Sequence, residues 1–314
     1  MTSSVFQNFK NTLGVDDFVA FVKEDWSRLY PIIFSFLALA IATNYHFDLE
    51  DAYLDHYKNT VIGTFYFFVL NVCMYGIPLV VLKQNEYVSG AIKDQQFWLY
   101  ISVSLLVLSL MQSTDLARIL VPEWYNDNYF NRKLGSKLNS ILKYAFSFLL
   151  LGLFIGKLKF KGFGLCNFKI EYKTYLGFLL VMVPLLVFAS TQADFLKTYP
   201  KLKQIAVSYE KYVQQLLIYE PVYLLNFVML EWFFRGYMVL FFKKYLNTKA
   251  IILVAMVYCS FHFGKPLLEC ISSFFGGYIL GYIIYNTKSI WGGVIVHMGI
   301  AFLMDLFAFL AKSI

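Results

Sequence analysis

The sequence predicts an all-α fold, a polytopic membrane helical bundle of eight or nine transmembrane helices. Three observations carry that prediction. Apolar residues make up 59% of the 314 positions and charged residues only 15%, where a soluble domain carries about 25% charged residues. Apolar runs recur along the chain, most of them near the roughly 20 residues that a membrane crossing needs. In the last third, four ionisable residues (Glu231, Arg235, His262 and His297) fall inside such runs and not between them. A charge at the middle of a membrane helix costs about 2.5–3.5 kcal/mol even on the lenient insertion scale. Several together therefore predict a shared polar site in the membrane interior.

The elements follow in order. Residues 1–28 intersperse charges (Lys10, Asp16, Asp17, Lys23, Glu24, Asp25, Arg28) with Val15, Phe18, Val19 and Phe21. This predicts an amphipathic N-terminal helix, cytoplasmic or interfacial. It differs from a secretory signal, in which a short basic region directly precedes an apolar core. Spans are expected at 29–45, 61–83, 96–113, 140–157 and 174–191, which with their connections form a transmembrane scaffold over 29–213. The stretch 192–213 mixes charges and apolar residues around Tyr199-Pro200 and predicts an interfacial helix or lid. Residues 214–314 form the core that carries the site, with spans at 214–242, 249–263, 269–286 and 289–311. The piece at 249–263 is short enough to be a partial or re-entrant span. Glycines cluster in this core, as in Gly276-Gly277, Gly281 and Gly292-Gly293, and small residues let membrane helices approach closely.

The formal charge of +7 is read through topology. Basic residues concentrate at 157–173 and at Lys243, Lys244 and Lys249, whereas 46–58 is acidic, with Asp48, Glu50, Asp51 and Asp55. An excess of Lys and Arg belongs on cytoplasmic loops, so the N-terminus is expected in the cytoplasm. Arg118, Arg132, Lys133 and Lys137 weigh against that orientation. The basic residues are scattered at helix ends and not gathered on one face, which excludes a nucleic-acid partner. Cys73, Cys166, Cys259 and Cys270 show no metal-binding spacing and read as free thiols.

Glu231 and Arg235 stand four apart in Leu230-Glu231-Trp232-Phe233-Phe234-Arg235-Gly236. They share a helix face, with the acid N-terminal to the base as the better order for pairing. A structural salt bridge and a functional pair are equally compatible with this spacing. His262 precedes Phe263-Gly264-Lys265-Pro266 and is placed at a broken helix end. Irregular backbone at membrane depth is tolerated only against protein or a wet cavity. Glu269 follows across that turn and is a reserve candidate. His297 shares a face with Ala301 and Asp305. Two histidines and a glutamate suit zinc, with Glu231, His262 and His297 as ligands, or a metal-free activated water. Neither the HExxH nor the GxSxG pattern occurs. A proton-coupled transporter, with these groups as a relay, is the third reading. It lacks the paired broken helices in two matching halves that such folds carry.

Glu231-Trp232-Phe233-Phe234-Arg235, then Tyr258-Cys259-Ser260-Phe261-His262, then His297 in a final glycine-preceded helix resemble, in order and spacing, three motifs of a known family. It is the CAAX protease and bacteriocin-processing (CPBP, Rce1-like or abortive-infection) family of intramembrane proteases, whose patterns are EExxxR, FxxxH and HxxxN. The resemblance covers roughly residues 214–311. It implies an intramembrane endopeptidase in a cytoplasmic membrane, of bacterial type, acting on a membrane protein or peptide substrate. It also implies Glu231, Arg235, His262 and His297 as site residues. Three positions depart from the pattern: Leu230 stands where the first glutamate belongs, Tyr258, a mild change, where the phenylalanine of FxxxH belongs, and Ala301 where the closing asparagine belongs. The alternative implied by these departures is an inactive relative that binds a membrane partner or gives self-immunity against a bacteriocin.

Overall fold

The computed structural model describes residues 15–155, 163–168, 172–205 and 207–313, and every regular element among them is helical. In chain order the helices are α1 (Val15–Asp25), α2 (Tyr30–Phe47), α3 (Val61–Val81), α4 (Glu86–Lys93), α5 (Gln95–Ser113), α6 (Leu116–Leu120), α7 (Pro122–Asp127), α8 (Tyr129–Ile155), α9 (Tyr172–Ala189), α10 (Ala193–Thr198), α11 (Tyr209–Glu231), α12 (Leu240–Leu246), α13 (Lys249–Ser260), α14 (Leu267–Thr287) and α15 (Trp291–Ser313). Among the described residues seven helical stretches are long and apolar enough to cross a membrane, and Tyr175–Ala189 and Lys249–Ser260 are shorter apolar helices. The chain is an integral membrane protein with an all-α polytopic bundle.

Local chemistry sets the boundaries. Thr60, Asn85, Asp94 and Ser208 accept from backbone N–H groups of the first turns they precede, which satisfies donors a helix start leaves open. Three boundaries differ from expectation. α8 begins at Tyr129 and not at 140, so Arg132, Lys133 and Lys137 ride on a helix. These long side chains are good helix formers that carry their charge toward the interface. Among the described residues between 192 and 208 only the short α10 is helical, and α11 starts at Tyr209, where Ser208 caps it. The long segment after Ser208 is not one continuous α-helix, for Trp232–Val239 is wound as a π-helix. The lysine run expected at 157–173 lies largely outside the described residues.

The short helix α13 is the axis of the core, with all twelve of its residues buried. α14 packs along it, and Gly281 allows the approach, since a Cβ there would lie 2.8 Å from Ile251 Cγ2. α13 ends at Ser260, and the turn through Lys265 leaves carbonyl groups without helical partners. α2 supplies them: Asn44 Nδ2 donates to the Phe263 carbonyl (3.2 Å), and the Tyr45 hydroxyl donates to that of Lys265 (2.5 Å). Irregular backbone deep in the bundle is thereby satisfied by protein.

These contacts also sort the connections between two ends of the bundle. Lys249 meets Asp25 and Asn167 donates to the Thr287 carbonyl, which gathers 25–29, 243–249, 163–168 and 287–290 at one end. The 261–266 turn, the acidic 48–60 segment and the start of α6 gather at the other, through the Phe263 and Asn59 contacts.

At that second end the Glu50 carboxylate lies against Gly264, its oxygens 2.5 and 2.6 Å from where a Cβ would stand. Burial, then the neighbouring Asp55 charge, pushes Glu50 up to about 8. The folded chain holds this proton where an unfolded carboxyl, near pH 4.3, has lost it. The group therefore costs stability progressively as pH rises between those values. Glu50→Gln should melt above the wild type at pH 8 and converge with it near pH 4, as read by thermal unfolding in detergent.

Candidate active site

The four ionisable residues singled out in the sequence converge on α11, α13 and α15. Glu231 closes α11 and is 0% exposed, and Arg235, four residues on in the π-helix, is 1% exposed. Glu231 Oε1 lies 3.1 Å from an Arg235 guanidinium nitrogen and accepts from His297 Nδ1 at 2.8 Å. A buried charge of either sign is expensive alone, so each of these groups makes the other two tolerable. Glu231 Oε2 and both terminal nitrogens of Arg235 are buried without a hydrogen-bond partner. Short π-helical segments recur at functional sites, and this one begins at the residue after Glu231.

The carboxylate fits because α15 has no side chain where it arrives. A Cβ on Gly293 would lie 2.7 Å from Glu231 Oε2 and 3.0 Å from Ile284 Cδ1. Gly293→Ala should displace the carboxylate and, if the site is catalytic, lower turnover about 100-fold, while circular dichroism records an unchanged helix content.

Tyr258, in the last turn of α13, stands between the two histidines. Its hydroxyl is 3.3 Å from His297 Nε2, its carbonyl accepts from His262 Nδ1 at 3.1 Å, and the Arg235 guanidinium lies 4.0 Å from its ring centroid. Both Nδ1 atoms thus face acceptors and carry the protons. Each Nε2 is left as the lone-pair side of its ring. Phe227 closes over His297 with ring centroids 4.4 Å apart.

Zinc was an expectation for Glu231, His262 and His297, and this donor set does not fit the ion. Their ligand atoms do not come within 4.8 Å of one another as a group. Among the described residues only Glu50, Asp51 and Asp55 do. Glu231 Oε1 is already committed to His297 and Arg235.

Glu269 does not fold back onto His262. Both its oxygens accept from the Tyr199 hydroxyl at 2.9 Å. Asp305 Oδ1 accepts from the Lys201 backbone N–H at 2.8 Å, two helical turns beyond His297. Leu230 packs against the main apolar core, and Ala301 is buried in a cluster with Tyr219 and Tyr223. A cavity of about 250 Å³ borders the turn after α13, lined by Ser260, Phe261 and Gly264 together with Glu50, Lys143 and Tyr144.

Residues 212–303 match the family model described as type II CAAX prenyl endopeptidase Rce1-like. The C-terminal third carries an Rce1-like domain. Its matched range holds Glu231, Arg235, Tyr258, His262 and His297, and the resemblance read from the three motifs is borne out. No curated protein and no solved structure matches the chain. The hydroxyl of Tyr258 is the contribution to this Rce1-like site that the sequence concealed. An aromatic residue in an apolar run reads as packing, and its signal was the substitution of tyrosine in the FxxxH pattern.

Proposed function

We propose that this Rce1-like protein is an intramembrane endopeptidase that hydrolyses peptide bonds of membrane-associated substrates. The observation that carries the reading is the Glu231–His297 hydrogen bond, with its carboxylate fully buried, set beside a second histidine in the turn after α13. A carboxylate that holds Nδ1–H of a histidine fixes the tautomer and leaves Nε2 as a base. The absence of a glutamate at position 230 then matters less, because Glu231 acts through the His297 ring and need not touch the water.

In this mechanism a water lies between the Nε2 atoms of His297 and His262. His297 takes a proton from the water as its oxygen attacks the scissile carbonyl carbon. The negative charge on the carbonyl oxygen is met by N–H groups of Arg235, whose terminal nitrogens are buried without a hydrogen-bond partner, and by the Tyr258 hydroxyl. Donors placed where charge develops give the largest electrostatic benefit in a water-poor site. The intermediate collapses with cleavage of the C–N bond, and the proton on His297 passes to the departing nitrogen. One water is consumed, and a new carboxyl and a new amino terminus appear.

Tyr258→Phe keeps the ring under Arg235 and removes one donor. Turnover should fall about 10- to 1000-fold, with stability changed by about 1 kcal/mol. The wider test is quantitative N-terminal profiling of membranes from cells expressing the wild type or a His262→Ala/His297→Ala variant at equal levels. N-termini that depend on the wild type support the reading. Identical profiles from folded proteins would favour an inactive, partner-binding relative, for which Leu230 and Ala301 are the specific observations.

A further inference from the structure

Two thiols that the hydrolytic mechanism does not use meet beside the turn that carries His262. Cys259 lies in the last turn of α13 and Cys270 in the first turn of α14, and both are 0% exposed. Their sulfurs are 3.9 Å apart. Each thiol is directed at the other's backbone, Cys259 donating to the Cys270 carbonyl at 3.3 Å and Cys270 to that of Cys259 at 3.9 Å. A buried free cysteine commonly serves as a small hydrophobe, but packing calls for a small residue at each position and not for two sulfurs in contact.

The chain between the two thiols includes His262. That stretch is pinned from its other side by α2, through the Asn44 and Tyr45 bonds to the Phe263 and Lys265 carbonyls. Tyr258, the residue before Cys259, provides the carbonyl that orients His262 Nδ1 and the hydroxyl beside His297 Nε2. Any change in the distance between Cys259 and Cys270 is therefore taken up next to both histidines.

We infer that Cys259 and Cys270 form a reversible disulfide switch, which displaces His262 and silences the hydrolytic centre when a small hydroperoxide reaches the pair. One sulfur attacks the O–O bond and takes up an oxygen as sulfenic acid, while the hydroperoxide leaves as an alcohol, or as water when it is hydrogen peroxide. The second sulfur then attacks the sulfenic sulfur. The S–S bond forms, and the sulfenic oxygen departs as water with the second thiol's proton. The sulfurs together lose two electrons, and the broken O–O bond receives them. A dithiol reductant restores both thiols by exchange. Bond formation brings the sulfurs from 3.9 Å to about 2.05 Å, and misplacing a reacting group by about 1 Å costs about 100-fold in rate. The loss of turnover, unlike the bond itself, rests on the peptidase reading.

The test treats the full chain in phosphatidylcholine nanodiscs with hydrogen peroxide, with and without later dithiothreitol. Mass spectrometry of alkylated fragments should find Cys259 joined to Cys270 after peroxide and both cysteines alkylated after reduction. In ¹³C-histidine NMR, the His262 signal, assigned with His262→Ala, should move on oxidation and return on reduction. It should stay in place in Cys259→Ala and in Cys270→Ala, two variants that guard against a misfolded control. Turnover of the oxidised wild type should fall about 100-fold, and that of either variant should be indifferent to peroxide. Sulfinic acid or unreacted thiols in place of the Cys259–Cys270 bond, or a bond that leaves the His262 signal unmoved, would overturn the switch. A bond that moves His262 in a protein that hydrolyses nothing even when reduced would leave the switch standing and sink the peptidase reading alone.

Discussion

Glu231→Gln should cost both turnover and stability. The amide keeps the shape of the carboxylate but cannot neutralise Arg235, which is 1% exposed and has Glu231 as its ion-pair partner among the described residues. Removing one partner of a buried pair costs about 3–5 kcal/mol, because the other charge stays buried. His297 meanwhile loses the anionic acceptor at Nδ1 that fixes its tautomer, and removal of general-base assistance lowers rate about 100- to 10,000-fold. A second variant separates the two effects. Glu231→Gln/Arg235→Met removes the stranded charge as well, so denaturation should show much of the lost stability recovered while turnover stays low. Recovery of both would make the pair a structural lock without a chemical role.

The second large effect belongs to the opposite end of the bundle. Asp25, at the end of α1, is 4% exposed. One oxygen accepts from the Tyr30 hydroxyl at 2.5 Å and the Tyr278 hydroxyl at 3.0 Å. The other accepts from Thr248 at 2.5 Å and from Lys249 Nζ at 2.6 Å. Every acceptor direction is used, and one carboxylate joins α1, α2, the start of α13 and α14. Asp25→Ala leaves the Lys249 ammonium buried, and the expected loss is again about 3–5 kcal/mol. Asp25→Asn keeps part of the network and should lose less. Since α13 carries Tyr258 and leads to His262, the Asp25→Ala protein should also lose activity above its lowered melting temperature. A melting temperature unchanged within a degree would show that the network contributes no net stability.

The bundle was legible because hydropathy dominates this chain: the apolar runs of α2, α3, α5, α14 and α15 admit no other solution in a bilayer. Glu231, Arg235, His262 and His297 were legible for the converse reason, as ionisable groups where the solvent is oil. Less could be read where the controlling fact is a contact between distant elements. Tyr258 looks like core packing until His297 is seen 3.3 Å from its hydroxyl. Glu269 lies in the first turn of α14, which made it a natural neighbour for His262, yet Tyr199, 70 residues earlier, holds it. The π-helix at Trp232–Val239 leaves no periodic signal over eight residues.

The most direct measurement of the central claim is cleavage in ¹⁸O-labelled water. The wild type and Glu231→Gln/Arg235→Met proteins, each confirmed folded, are incubated in liposomes with a library of transmembrane peptides, and the products are read by mass spectrometry. Water-mediated hydrolysis at the Glu231–His297 pair predicts products from the wild type whose new carboxyl terminus carries one ¹⁸O, with at least about 100-fold less from the variant. Cleavage without label in the new carboxyl group, or equal cleavage by both proteins, would contradict it.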